Sequence, residues 1–147
     1  MKALRKLLAL PLAEKLLLVE ALFYLGLARL ALLVVPFRHI ARRLGRQFPP
    51  DAVPPSADSA SPGARQIAWA VEIMARRTPW ESACLAQAMA GKFMLRRRGV
   101  PSRLSLGMRK DASGKPTAHA WLQAGEATLL GATPEPFTVL STFVDPD

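Results

Sequence analysis

Residues 16–37 read LLLVEALFYLGLARLALLVVPF, a run of 22 residues between Lys15 and Arg38 that only Glu20 and Arg29 interrupt. Nothing else in the chain restricts its fold as much. A run of that length can cross a bilayer core as a helix, and in water it must be covered by other structure. Two features weigh against crossing. Each central charge costs about 2.5–3.5 kcal/mol on insertion scales, and basic clusters stand at both ends, so no charge asymmetry orients the segment. The run therefore reads as a buried helix. Glu20 and Arg29 are nine residues apart and fall on opposite sides of it, so apolar surface wraps nearly the whole circumference and asks for several neighbours. Pro11, Glu14 and Lys15 break the apolar stretch that a cleavable signal needs, and no small-residue cleavage site follows. The expected location is the cytoplasm, with peripheral membrane contact through residues 1–46 left open.

That first segment carries nine basic residues, Arg29, Arg38, Arg42 and Arg43 among them, against Glu14 and Glu20, and so holds most of the net charge of +9. Pro36 suits the first turn of a second helix, PFRHIARRLGR, which stops near Gly45 and has a basic face. Residues 47–63, QFPPDAVPPSADSASPG, hold five of the thirteen prolines and little to bury, so they read as a linker. The organisation expected is a helical extension over 1–46, a linker over 47–63 and a domain over 64–147.

In that domain Ile67, Ala70, Val71 and Met74 recur at helical spacing. Thr78, Pro79 and Glu81 or, with an N-cap four residues after Thr78, Ser82 then signal the start of a helix that runs through LAQAMAGKFMLRRR to Gly99. Cys84 falls at or near its first turn, where unsatisfied amides and the positive helix end stabilise a thiolate. Gln87 and Gly91, three and seven positions later, lie near the face of Cys84. After Pro101 the period becomes two: Leu104, Leu106 and Met108 alternate with polar residues, DASGKP makes a turn, and Thr117, His119, Trp121 and Gln123 alternate against Ala118, Ala120 and Leu122. ATLL and FTVLSTF add two further strands. A helix followed by an antiparallel sheet is the α+β class.

One cysteine at a helix start and one histidine on a strand 35 residues later are the order in which papain-like folds deliver a nucleophile and its base. With a single cysteine and two histidines, no disulfide framework or metal site is expected, and no cofactor is called for. The other histidine, His39, sits among arginines with no nucleophile near it in sequence. The wording around the pair is more specific. TPWESACLAQAMAGKFMLRRRGVPSRLSLGMRK, then AHAWLQAGEATLLG and FTVLSTF, resembles the transglutaminase-like domain of lasso-peptide leader peptidases over about residues 64–143. The resemblance implies a papain/transglutaminase-like helix and sheet, with an N-terminal helical extension as in stand-alone members. It implies a cysteine protease that removes the leader from a ribosomally made precursor, with Cys84 as nucleophile, His119 as base and Gln87 as a candidate oxyanion donor or orienting group. The partners implied are the precursor leader, a small leader-recognition protein and an ATP-dependent, asparagine-synthetase-like cyclase. The sequence departs from the family at one place: the third member is commonly an aspartate about a dozen residues beyond the histidine, and here Gly131 stands there. The third group is thus unassigned, and a backbone carbonyl is among the candidates.

Two other functions compete with leader cleavage. One is acyl transfer, in which an amine replaces water on the same thioester. The other is a catalytically silent peptide-binding module in which Cys84 and His119 are structural. Nucleic-acid binding is not expected, because no aromatic residues interleave with the basic ones and the Arg96–Arg98 run is explained by a helix C-terminus.

Overall fold

The computed structural model describes residues 2–50, 62–78, 83–125, 127–133 and 137–145. Helices α1 (Lys2–Leu8), α2 (Leu12–Val34) and α3 (Phe37–Arg43) precede a short strand β1 (Arg46–Phe48). Helices α4 (Pro62–Ala75) and α5 (Cys84–Arg97) follow, then strands β2 (Arg103–Lys110), β3 (Pro116–Ala124), β4 (Ala127–Leu130) and β5 (Thr138–Val144). The strands form one sheet in the order β1-β5-β2-β3-β4, and every neighbouring pair is antiparallel. Helices gathered beside an antiparallel sheet confirm the α+β class.

The apolar run is folded as one long helix, α2, but it is buried on one side only. Leu18, Ala21, Leu25 and Ala28 recur at spacings of three and four and are buried where α2 packs on α4 and α5. The two alanines let the helix axes approach closely. Glu20 is not a charge stranded in an apolar segment. Its carboxylate accepts hydrogen bonds from Arg97 at 3.1 Å and from Arg98 at 2.9 and 2.6 Å, which ties the middle of α2 to the end of α5. The hydrogen bond from Arg98 is the main reason this carboxyl is held below its usual range, against the opposing effect of desolvation. The other side of α2 packs on no element among the described residues: Leu12, Leu16, Val19, Phe23 and Leu30 are each more than half exposed. The expectation of a helix needing cover all round is thus met over half its circumference.

The segment expected to be a linker begins inside the sheet. Gln47 and Phe48 belong to β1, where they pair with Phe143 and Thr142 of β5, and the Gln47 side chain donates to Ser141 Oγ at 2.8 Å. Three residues followed by two prolines give too short an alternation to read as a strand, so the edge pairing with β5 is what defines it. At the far end Pro62 and Gly63 open α4, and residues 51–61 lie outside the described residues.

Helix α5 is the centre of the molecule. Ala86, Ala88, Met89, Ala90, Met94 and Leu95 are buried, and Gly91 marks its closest approach to the sheet: a Cβ there would lie 2.8 Å from Leu122 Cδ2 and from Leu130 Cδ1. Lys92 is also fully buried. Its ammonium donates to the Ser102 carbonyl at 2.8 Å and pairs with Asp145 at 3.3 Å, and Arg96 donates to the other oxygen of that carboxylate at 2.7 and 3.0 Å. Desolvation is the main reason that the Lys92 ammonium is lowered to about 8, with the Asp145 charge opposing it. The network fastens the C-terminal half of α5 to the start of β2 and the end of β5.

Candidate active site

Cys84 is the first residue of α5, after Ala83 as N-cap, and no side chain caps the helix there. Thr78 is described, but Pro79, Glu81 and Ser82 of the expected start signals lie outside the described residues. The thiol is partly buried against the core. As a first-turn residue it stands among amides with no partner within the helix, which can donate to an anionic oxygen nearby. Gln87 follows one turn later, partly buried, with its backbone N–H on the Ala83 carbonyl at 3.0 Å.

His119 is on β3, paired across the sheet with Gly107 of β2. Its Nε2 is 2.7 Å from the backbone carbonyl oxygen of Gly131. A carbonyl only accepts, so Nε2 carries the proton, and in the neutral ring Nδ1 is then the basic nitrogen. The ring plane is fixed by stacking on Trp121, with centroids 6.1 Å apart, and on Phe137, with centroids 5.0 Å apart. Arg109 in turn lies over Phe137 at 5.4 Å.

The backbone carbonyl of Gly131 thus holds the His119 ring at the position where the resemblance leads to the expectation of an acid. Its φ is +78°, and an added Cβ would collide with the Ala120 carbonyl oxygen and lie 3.0 Å from Trp121 Cα. No aspartate fits there without moving β3. Asp145, a more distant acid, is committed to Lys92 and Arg96. Glu126 and Glu135 lie outside the described residues. We expect Gly131→Asp, which restores the acid in sequence, to cost about 2 kcal/mol or more through left-handed strain and the clash, and to lower activity as well. Thermal unfolding beside a peptide-cleavage assay checks this. A variant as stable as wild type and more active would show that the site accepts the acid.

The common direction of α5 and β3 relates the two candidate residues. Helix α5 ends where β2 begins, as the Lys92–Ser102 bond shows, and β3 runs antiparallel to β2, so α5 and β3 point the same way. From the contact of Gly91 with Leu122, Cys84 lies about 10.5 Å back along the helix. His119 lies about 10 Å back along the strand. The two residues thus lie at similar distances from that contact, each counted along its own element. They are not hydrogen-bonded to each other, and strand alternation turns His119 and Trp121 to the face opposite that of Ala120 and Leu122, which meet α5. The β4 register starts at Leu122, so the way from thiol to imidazole leads round the outer edge of β3, where Gly131 sits. No group of metal-binding side chains occurs among the described residues.

Phe137 and the Gly131 carbonyl are the site features that periodicity could not name. The first is separated from His119 by 18 residues, and the second is main chain. A glycine at the expected place of an acid was the one available signal for the latter.

Comparison with curated proteins and with solved structures found no match. A family model, described as the transglutaminase-like superfamily, matches residues 29–142, from the second half of α2 almost to the end of β5. With helix, sheet, cysteine and histidine in that order, the chain belongs to the transglutaminase-like superfamily.

Proposed function

We propose that this protein is a cysteine peptidase that removes the leader from a ribosomally made lasso-peptide precursor, using Cys84 as nucleophile and His119 as base. The superfamily commonly carries cysteine protease or acyltransferase chemistry. The observation that carries the reading is the His119 ring: its Nε2 proton is held by the Gly131 carbonyl and its plane by two aromatic rings, leaving Nδ1 as the basic atom, on a strand that packs beside the Cys84 helix.

In the mechanism, Nδ1 takes the thiol proton, sulfur attacks the scissile carbonyl carbon, and the amide at the start of α5 meets the developing oxyanion, with Gln87 as a candidate second donor. The imidazolium gives its proton to the leaving amine. Water, deprotonated by the same nitrogen, then attacks the thioester, and the carboxylate product and free thiol are released. Cys84 and His119 share no hydrogen bond, and His119 stands on the sheet face turned away from α5, so in this reading peptide binding must bring the two groups together round the edge of β3. A leader-recognition protein and the asparagine-synthetase-like cyclase are the partners this reading requires.

The test is mass spectrometry of a lasso precursor incubated with its recognition protein and either wild type or Cys84→Ala. One cut, at the leader–core junction and absent in the variant, is expected. Retained peptide binding with no cut in either case would make the domain a binding module. Transfer of the acyl group to an added amine in preference to water would make it an acyltransferase.

A further inference from the structure

The exposed side of α2 is an apolar strip with the spacing of a single helix face. Leu12, Leu16, Val19, Phe23, Leu27 and Leu30 recur every three or four residues and all are exposed, Phe23 by 62%. It is continued by exposed Leu4 and Leu8 on α1 and Phe37 on α3. Faces of this extent on a soluble chain mark an interaction surface.

Charge decides what covers it. Lys2, Arg5 and Lys6 are exposed at one end of the strip, and Arg38, Arg42 and Arg43 at the other. Among the described residues, ion pairs join only Lys92, Arg96, Arg97 and Arg98 to acids, so no described acid pairs with any of these six cations. Glu20, one of the two acids in the segment, is turned inward to Arg97 and Arg98. A second copy would therefore meet like charge in either orientation. Packed parallel it sets each cluster against itself, and packed antiparallel it sets the α1 cluster against the α3 cluster. A plane of anionic lipid headgroups satisfies both ends at once while its acyl region takes up the strip.

We propose that α2 docks this protein in the plane of an anionic membrane surface, with Phe23 and its neighbours in the acyl boundary and the α1 and α3 cations at the headgroups. The helix lies along the membrane and does not cross it. Crossing would strip Leu18, Ala21, Leu25 and Ala28 from α4 and α5 and break the Glu20 ion pairs. The proposal is independent of the peptidase reading.

Sedimentation of the full chain with phosphatidylcholine vesicles, with and without phosphatidylglycerol, tests it. Binding is expected with the anionic vesicles and at least about tenfold weaker with the neutral ones, falling as salt is raised. Phe23→Glu with Leu27→Glu, both at exposed positions, is expected to cut partitioning by about tenfold or more while unfolding at the wild-type temperature. Arg42→Glu with Arg43→Glu, which leaves the strip intact, should weaken binding to anionic vesicles alone. Equal binding to both vesicle types overturns the charge argument. Failure to bind either, with a dimer by light scattering, assigns the strip to a second copy, and failure to bind with a monomer removes the membrane altogether. Resistance to alkaline carbonate extraction would show that α2 crosses.

Discussion

Asp145→Ala is expected to destabilise the protein by about 3–5 kcal/mol, the range seen when one partner of a buried ion pair is removed. The carboxylate receives Lys92 on one oxygen and Arg96 on the other, and the first of the two also accepts from the Ser102 backbone N–H at 3.1 Å. Without it the Lys92 ammonium keeps the Ser102 and Phe143 carbonyls but has no counter-charge in a site closed to water. Lys92→Met removes the cation together with its need for a partner, and the double variant is expected to recover most of the loss. Urea denaturation of the three variants measures it. A single-variant cost below about 1 kcal/mol, the range of an exposed pair, would show that water reaches Lys92.

Removing the proposed base, His119→Ala, is expected to lower kcat by about 10²–10⁴, the usual contribution of a positioned proton-transfer group. The substitution also clears a space between Trp121, Phe137 and the Gly131 carbonyl, and free imidazole is expected to enter it and restore part of the rate. That rescue separates a chemical role from a packing role, because a ring needed only for stacking would return stability and no turnover. An unchanged kcat would leave Cys84 without this base, and the proton acceptor would have to be another group.

Much of this arrangement was legible in the sequence because it is periodic. The alternation from Leu104 and the HAW triplet place His119 on a strand, and the stripe of Ala88 and Met89 places Cys84 at the start of a packed helix. Lys92 was legible in principle: it stands four residues after Ala88 and seven after Leu85, on the core face, and only its charge argues otherwise. Its partner could not be read, since Asp145 is 53 positions away and is brought to it by the end of β5. The same holds for the Gly131 carbonyl, which no side-chain pattern encodes. The long apolar run gave its helix plainly but not its surroundings, because half its circumference is covered by α4 and α5 and the other half by no described element.

The pairing of β1 with β5 joins residue 46 to residue 144, and it governs the order of assembly. A ribosome making this chain releases α2 with its leucines about a hundred residues before the strand that closes the sheet, at a rate of roughly 5–20 residues per second. For several seconds the nascent protein has an apolar helix, no β5 to hold β1, and no Asp145 to neutralise Lys92. This long-range pairing thus makes folding wait for β5, and truncations that spare both Cys84 and His119 but remove β5 are expected to give aggregates instead of a weakened protein.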